Sequence, residues 1–331
     1  MIDFREFTDK AEKAVKEHYL QYGAFARTLA EDGGKAAKTE INAYGCTAAV
    51  NILYMTGGLP KSYSGRLKYI KAIQSLQNPD TGLFAEEKNE PFHTTGMCAA
   101  ALDMLDSHPL YPLTAMLELK NSDKLNEYME HETIENKPLT ASLHIGGLYA
   151  AFENSGEADD EFRKTFFKWL WNNTDEDTGL AGLGLVNYRD NLPAEYICGN
   201  ANYMFSIEYR HMPLRYPARL IDTCIQFYNS LDEGNNFGKK FSFEEFYWIY
   251  GINRALRQTT YRRKDCMGML RKFAHRYAEY LLSADFEKDG AEDLYMLSGT
   301  ICALAELQAA LPGMILTEKP LKLVVNSHPF I

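Results

Sequence analysis

Two histidines, His93 and His144, stand 51 residues apart, and each precedes a glycine by three positions, Gly96 and Gly147. The same place before four further glycines, Gly45, Gly199, Gly251 and Gly299, holds Asn42, Tyr196, Trp248 and Met296. One residue earlier lie Glu195, Tyr247 and Tyr295, and six residues before their glycines lie Glu245 and Asp293. An imidazole with an ordinary pKa near 6.5 serves as acid, base or charge neutraliser at neutral pH. Two carboxylates held roughly 5–10 Å apart hydrolyse a glycosidic bond. Aromatic faces with scattered amides and carboxylates suit a sugar ring. The candidate catalytic residues are therefore His93, His144, Tyr196, Glu195, Glu245 and Asp293. The candidate substrate-binding residues are Asn42, Trp248, Tyr247, Tyr295, Asn200, Asn202, Arg254 and Asp103. Each has a structural alternative, as a helix cap or as a buried group bonded to a neighbour.

What must position these residues is a repeat. The glycine intervals are 51, 51, 52, 52 and 48 residues, and a sustained period of this size marks a repeat architecture. Four residues after the glycines stand Ala49, Ala100, Ala151, Tyr203, Ala255 and Ala303. That spacing is helical, and it lays small residues along one face on which neighbouring helices come close. A glycine inside a helix costs about 1 kcal/mol relative to alanine, so six of them imply a packing reason. A more charged, amphipathic outer helix is expected before each inner one, over 9–30, 64–77, 111–130, 158–173, 215–231 and 262–283. The hairpins are then 9–57, 62–107, 110–155, 157–212, 214–259 and 261–311, followed by a docked tail, 312–331. Six hairpins bent into a ring make an all-α, single-domain (α/α)6 toroid over 1–331; an open solenoid is the alternative. In a ring the candidate residues converge on one mouth.

Composition narrows the classes. A net charge of −10 disfavours a nucleic-acid surface. No run of eighteen apolar residues is present, so no membrane span is expected. The opening residues lack the apolar centre of a secretory signal. Six single cysteines without CxxC spacing read as reduced, buried thiols, and the expected location is cytoplasmic.

The loop after the second outer helix reads Gln77-Asn-Pro-Asp-Thr-Gly82-Leu-Phe84. Gln77, Gly82 and Phe84 resemble the glutamine, glycine and aromatic repeat of the terpenoid cyclase and protein prenyltransferase toroids. Asp175-Glu-Asp-Thr-Gly-Leu180 is a cousin, and Asp232-Glu-Gly-Asn-Asn-Phe-Gly238 a weaker one. The resemblance implies the toroid and a ligand site in its central hole, where inner helices begin. Six-hairpin glycosidases and several polysaccharide lyases share that plan.

Three functions follow as expectations. The first is a carbohydrate-active enzyme, a hydrolase or a lyase, on uronic-acid-containing oligosaccharides. As a lyase it would use His93 or His144 as base, Asn42 or Asn202 against the uronate, and Tyr196 as proton carrier. The second is an isoprenoid-handling protein, as the loop motif implies. The third is a non-catalytic toroid that binds a ligand or protein. The acidic motifs of the resembled families are missing: Glu157-Ala-Asp-Asp160 reads as a helix start. Asp222, Cys224 and His275 follow the order of a zinc set but fall on outer helices. No metal or cofactor is expected, and the basic run 254–276 reads as a solvated helix face. The expected partner is a small molecule or oligosaccharide, with no nucleic acid and no membrane.

Overall fold

The computed structural model describes residues 1–29, 41–84, 91–182, 194–231, 234–286, 290–326 and 328–331. Among them the chain is all-helical, apart from a two-residue parallel pair, β1 (Ile2–Asp3) and β2 (Ile315–Leu316). The helices are α1 (Arg5–Glu17), α2 (Ala43–Thr56), α3 (Tyr63–Gln74), α4 (Pro91–Met104), α5 (Ser122–Glu135) and α6 (Pro138–Ser155). They continue with α7 (Asp160–Asn172), α8 (Ala194–Tyr209), α9 (Pro217–Ser230), α10 (Glu244–Gln258), α11 (Arg263–Ser283) and α12 (Leu294–Ala310). No described helix is long and apolar enough to cross a membrane.

The six periodic glycines all fall inside helices: α2, α4, α6, α8, α10 and α12. These helices are covered on nearly every side; α12 buries thirteen of its seventeen residues, whereas α3 buries four of twelve. On α11 the buried set Met269, Leu270, Phe273, Ala274, Tyr277, Ala278 and Leu281 keeps the spacing of three and four that gives one apolar face. Side-chain caps set the starts: Asn42 accepts from the Gly45 amide, Ser62 from Gly65 and Asp159 from Phe162. Left-handed Gly57 and Gly156 end α2 and α6.

Two outer helices differ from expectation. The first is α1, ending at Glu17 rather than running from 9 to 30. Tyr22 and Gly23 both take positive φ, and Tyr19 bridges back to Phe25, so the chain turns and runs extended to residue 29. Asp32-Gly-Gly34, the glycine pair at which a helix over 9–30 would have to stop, lies outside the described residues. The third, expected over 111–130, is split into a 3-10 helix, Thr114–Lys120, and α5. Asn121 is extended at the junction and its side chain accepts from the amides of Asp123 and Lys124, which caps a new helix rather than continuing the old one.

The chain divides into two compact units. The first comprises Met1–Ser75, Leu231–Asn253 and Arg262–Val324. Within it α12 lies against α2, so the last glycine-bearing helix meets the first. Helices α1, α3 and α11 pack on this pair, and β2 joins α12. The second comprises Leu76–Ser230, Arg254–Tyr261 and Val325–Ile331. Here α4, α6 and α8 form a row, with α5 on α6 and α7 on α5.

The row explains the glycines at Gly96, Gly147 and Gly199. A β-carbon on Gly96 would sit 2.6 Å from the Gly147 carbonyl oxygen, and one on Gly147 2.6 Å from that of Phe92. The α4 and α6 backbones are closer than any side chain allows. The Gln77 loop is a staple within the same unit. Its Nε2 donates to the carbonyls of Gly82 and Tyr111, both at 2.8 Å, and its Oε1 accepts from the amides of Leu110 (2.7 Å) and Tyr111 (3.0 Å). The cousin loop repeats the turn: the Asn78 amide bonds to the Leu83 carbonyl as the Asp175 amide does to that of Leu180, and Gly82 and Gly179 both take positive φ. Of the weaker third loop, residues 232 and 233 lie outside the described residues.

Candidate functional site

The candidate residues divide between the two units. In the first unit they are built into the scaffold. Asn42 caps α2, its Oδ1 accepting from the Gly45 amide at 3.0 Å. Asp293 caps α12 through the Tyr295 and Met296 amides and also receives the Arg27 guanidinium, at 3.0 Å from Nε and 2.8 Å from Nη2. Arg27 lies over the rings of Tyr44 and Tyr295, 5.0 and 5.4 Å from their centroids. Tyr295 meets Tyr44 edge-on at 4.9 Å and packs on Phe243 at 4.5 Å, and Phe243 stacks on Tyr247. Glu245 is fully buried. Its Oε1 accepts from the Gly238 amide at 2.7 Å and its Oε2 from the Ser242 hydroxyl, so it orders the chain entering α10. Burial pushes its pKa up, against those hydrogen bonds. Trp248 is fully buried against Phe237 and Phe273, which also touch each other.

In the second unit a different group forms. His144 on α6 bonds through Nδ1 to the Glu132 carboxylate of α5, and Asn136 Nδ2 donates to the same carboxylate oxygen at 3.0 Å. A carboxylate only accepts, so Nδ1 carries the proton and Nε2 keeps its lone pair when the ring is neutral. His93 on α4 is 5% exposed. Burial, with a smaller contribution from nearby His144, lowers its pKa to about 3, which keeps it neutral. Tyr203 on α8 hydrogen-bonds Thr133, and its pKa is raised by burial, partly opposed by that bond.

Beside this group Thr133, Pro138, Tyr196, Asn200, Tyr203 and Gly182 line a cleft of about 20 Å³, room for one water. Asn200 Oδ1 accepts from the Ala181 amide at 2.8 Å, and its Nδ2 meets the Met204 thioether at 3.0 Å. Asn202 ties α8 to α6 through the Ser142 hydroxyl at 3.0 Å. Glu195 is half-buried at the start of α8, 3.5 Å from Lys137 Nζ. Arg254 is fully buried, 3.3 Å from Glu208 and 3.0 Å from Asn326 Oδ1. Asp103, in the last turn of α4, bonds to His328 at 2.9 Å. The ring of Phe330 rests edge-on against His93 at 5.6 Å.

Three contributors escaped the sequence reading. Glu132 lies twelve residues before His144, across a turn at Asn136 and Lys137, so an acid on α5 paired with a histidine on α6 was a findable signal. Arg27 was hidden inside the overlong first helix. Phe330 carries no local signal beyond its place in an apolar tail.

All six cysteines are buried free thiols. No group of three His, Cys, Asp or Glu side chains suited to a metal occurs among the described residues. No protein-family model, curated protein or solved structure matches the chain.

Proposed function

We propose that the six hairpins close into an (α/α)6 toroid and that the chain is a carbohydrate lyase acting on uronic-acid-containing oligosaccharides. Closure is supported by α12 lying against α2 and by the glycine-seated row α4, α6, α8. The single observation behind the chemistry is His144 held by Glu132 beside a neutral His93. In this reading Nε2 of His144 removes the proton next to the uronate carboxylate. The electron pair forms the carbon–carbon double bond, the glycosidic carbon–oxygen bond breaks, and the Tyr196 hydroxyl protonates the leaving oxygen. Asn200 Nδ2, bonded to the weakly accepting Met204 thioether, would meet the uronate carboxylate.

Hydrolysis by paired carboxylates has less support. Glu245 and Asp293 have both oxygens engaged, and Asp103 and Glu195 sit in the last turn of α4 and the first turn of α8. The isoprenoid reading rests on the Gln77 loop, where Gln77 staples backbone groups of Gly82, Leu110 and Tyr111. A binding-only toroid is favoured by one observation: Asn42, Asp293, Glu245, Asn202 and Arg254 all bond to the scaffold.

The test is incubation with oligouronates, following the ultraviolet absorbance of the new conjugated double bond. The lyase reading expects turnover by the unmutated protein and none by His144→Gln. No absorbance change with any oligouronate, alongside measurable binding, would select the binding-only reading.

A further inference from the structure

Residues 328–331 cover the face of the second unit that bears His93. Phe330 is 1% exposed and Ile331 5%. The Phe330 ring meets His93 of α4 at 5.6 Å and Phe205 of α8 at 6.2 Å. Between them it rests on Gly146 of α6, where a β-carbon would come within 3.0 Å of the ring. The segment thus spans three helices of the row, in a seat that a missing side chain leaves open.

What holds it is unlike what holds the helices. Its polar anchor is the His328 imidazole on Asp103, at 2.9 Å, and the Asp103 side chain is 45% exposed. Pro329 has no amide hydrogen to give. Among the described residues no backbone hydrogen bond reaches Phe330 or Ile331. A segment held by side-chain contacts, with no backbone ladder among the described residues, is expected to open at lower free energy than the helices beneath it.

We infer that residues 328–331 are an occluding strap, which closes the face bearing His93 in the resting protein and swings away to admit the ligand. The inference rests on the reading of His93 and His144 as the reactive centre. Opening leaves His93, Gly146 and Phe205 as the walls of the vacated space, with His328 and Asp103 as the latch.

The test uses the full chain and reads access to His93 without turnover. Diethyl pyrocarbonate acylates exposed imidazoles, and peptide mapping reports each histidine, with exposed His131 and His211 as internal references. The strap predicts that His328→Ala/Phe330→Ala stays folded, melts cooperatively, and is modified at His93 at least tenfold faster. A folded double variant with His93 still protected overturns the inference, as does a variant that no longer folds. The unmutated protein supplies a second reading. Modification of His93 through a local opening proceeds at a rate independent of urea well below the unfolding midpoint. A rate that rises in step with global unfolding overturns the strap. Faster modification without lyase turnover would retain the strap and sink the elimination chemistry, so the two fail separately.

Discussion

Replacing Gly147 by alanine tests why the glycines recur. The added β-carbon would lie 2.6 Å from the Phe92 carbonyl oxygen and 2.8 Å from the His93 Cα. Ordinary contact begins at 3.4 Å, so α4 must withdraw by 3.4 − 2.6 = 0.8 Å. Both neighbours are backbone, so no side chain can rotate aside. Overpacking of this kind costs about 1–3 kcal/mol, and rigid backbone on the far side puts this site at the upper end. Alanine returns about 1 kcal/mol of helix propensity. The net expectation is a loss of about 2 kcal/mol, a fall in Tm of about 3 °C for a chain of this length. Gly268 on α11 is the control, since nothing lies within 4 Å of its β-carbon position. There the same substitution keeps only the propensity gain and raises stability by up to about 1 kcal/mol. Thermal and urea melts of both variants decide the matter. A Gly147→Ala protein that melts at or above the parent would refute close helix approach as the reason for the period.

Gln77→Ala strips four hydrogen bonds from a buried staple and strands their backbone partners, so urea melts should show a loss of about 3 kcal/mol. His93, with its folded pKa lowered to about 3, binds no proton in the native state where the unfolded chain does, between pH 6.5 and about 3. Stability therefore falls as the pH drops below 6.5, and His93→Asn should flatten that fall by up to about 1.4 kcal/mol per pH unit in melts across the range. His18, buried and also shifted downward, should leave a residual slope of the same sign. Under the lyase reading, Glu132→Gln releases the tautomer of His144, and kcat on oligouronates should fall by about 10²-fold with little change in KM. An equal rate in both proteins would remove His144 as the base.

How much was readable in advance depended on how local the cause was. The glycine-bearing helices were legible because a missing side chain every fifty residues calls for a packing cause, and at Gly96, Gly147 and Gly199 that cause is a backbone approach along the row α4, α6, α8. The first outer helix was not, because its apolar spacing continues past the turn at Tyr22 and Gly23. The third failed at Asn121, where a capping side chain starts a new helix inside a run that reads as one. Candidate residues at equivalent corners were found by counting, but their roles were not. Asn42 and Asp293 became caps and Glu245 a buried loop anchor, whereas His144 acquired a carboxylate from another helix.

The chain alone determined its helical class, its period and the places where helices must touch, because propensity, amphipathic spacing and small residues act over a few neighbouring positions. Tertiary structure alone decided which titratable groups meet. The pairing of His144 with Glu132, the desolvation that keeps His93 neutral, and the seat of Phe330 on Gly146 arise between segments far apart in the chain or on separate helices. Their energies depend on distance and burial, which packing sets and residue spacing does not.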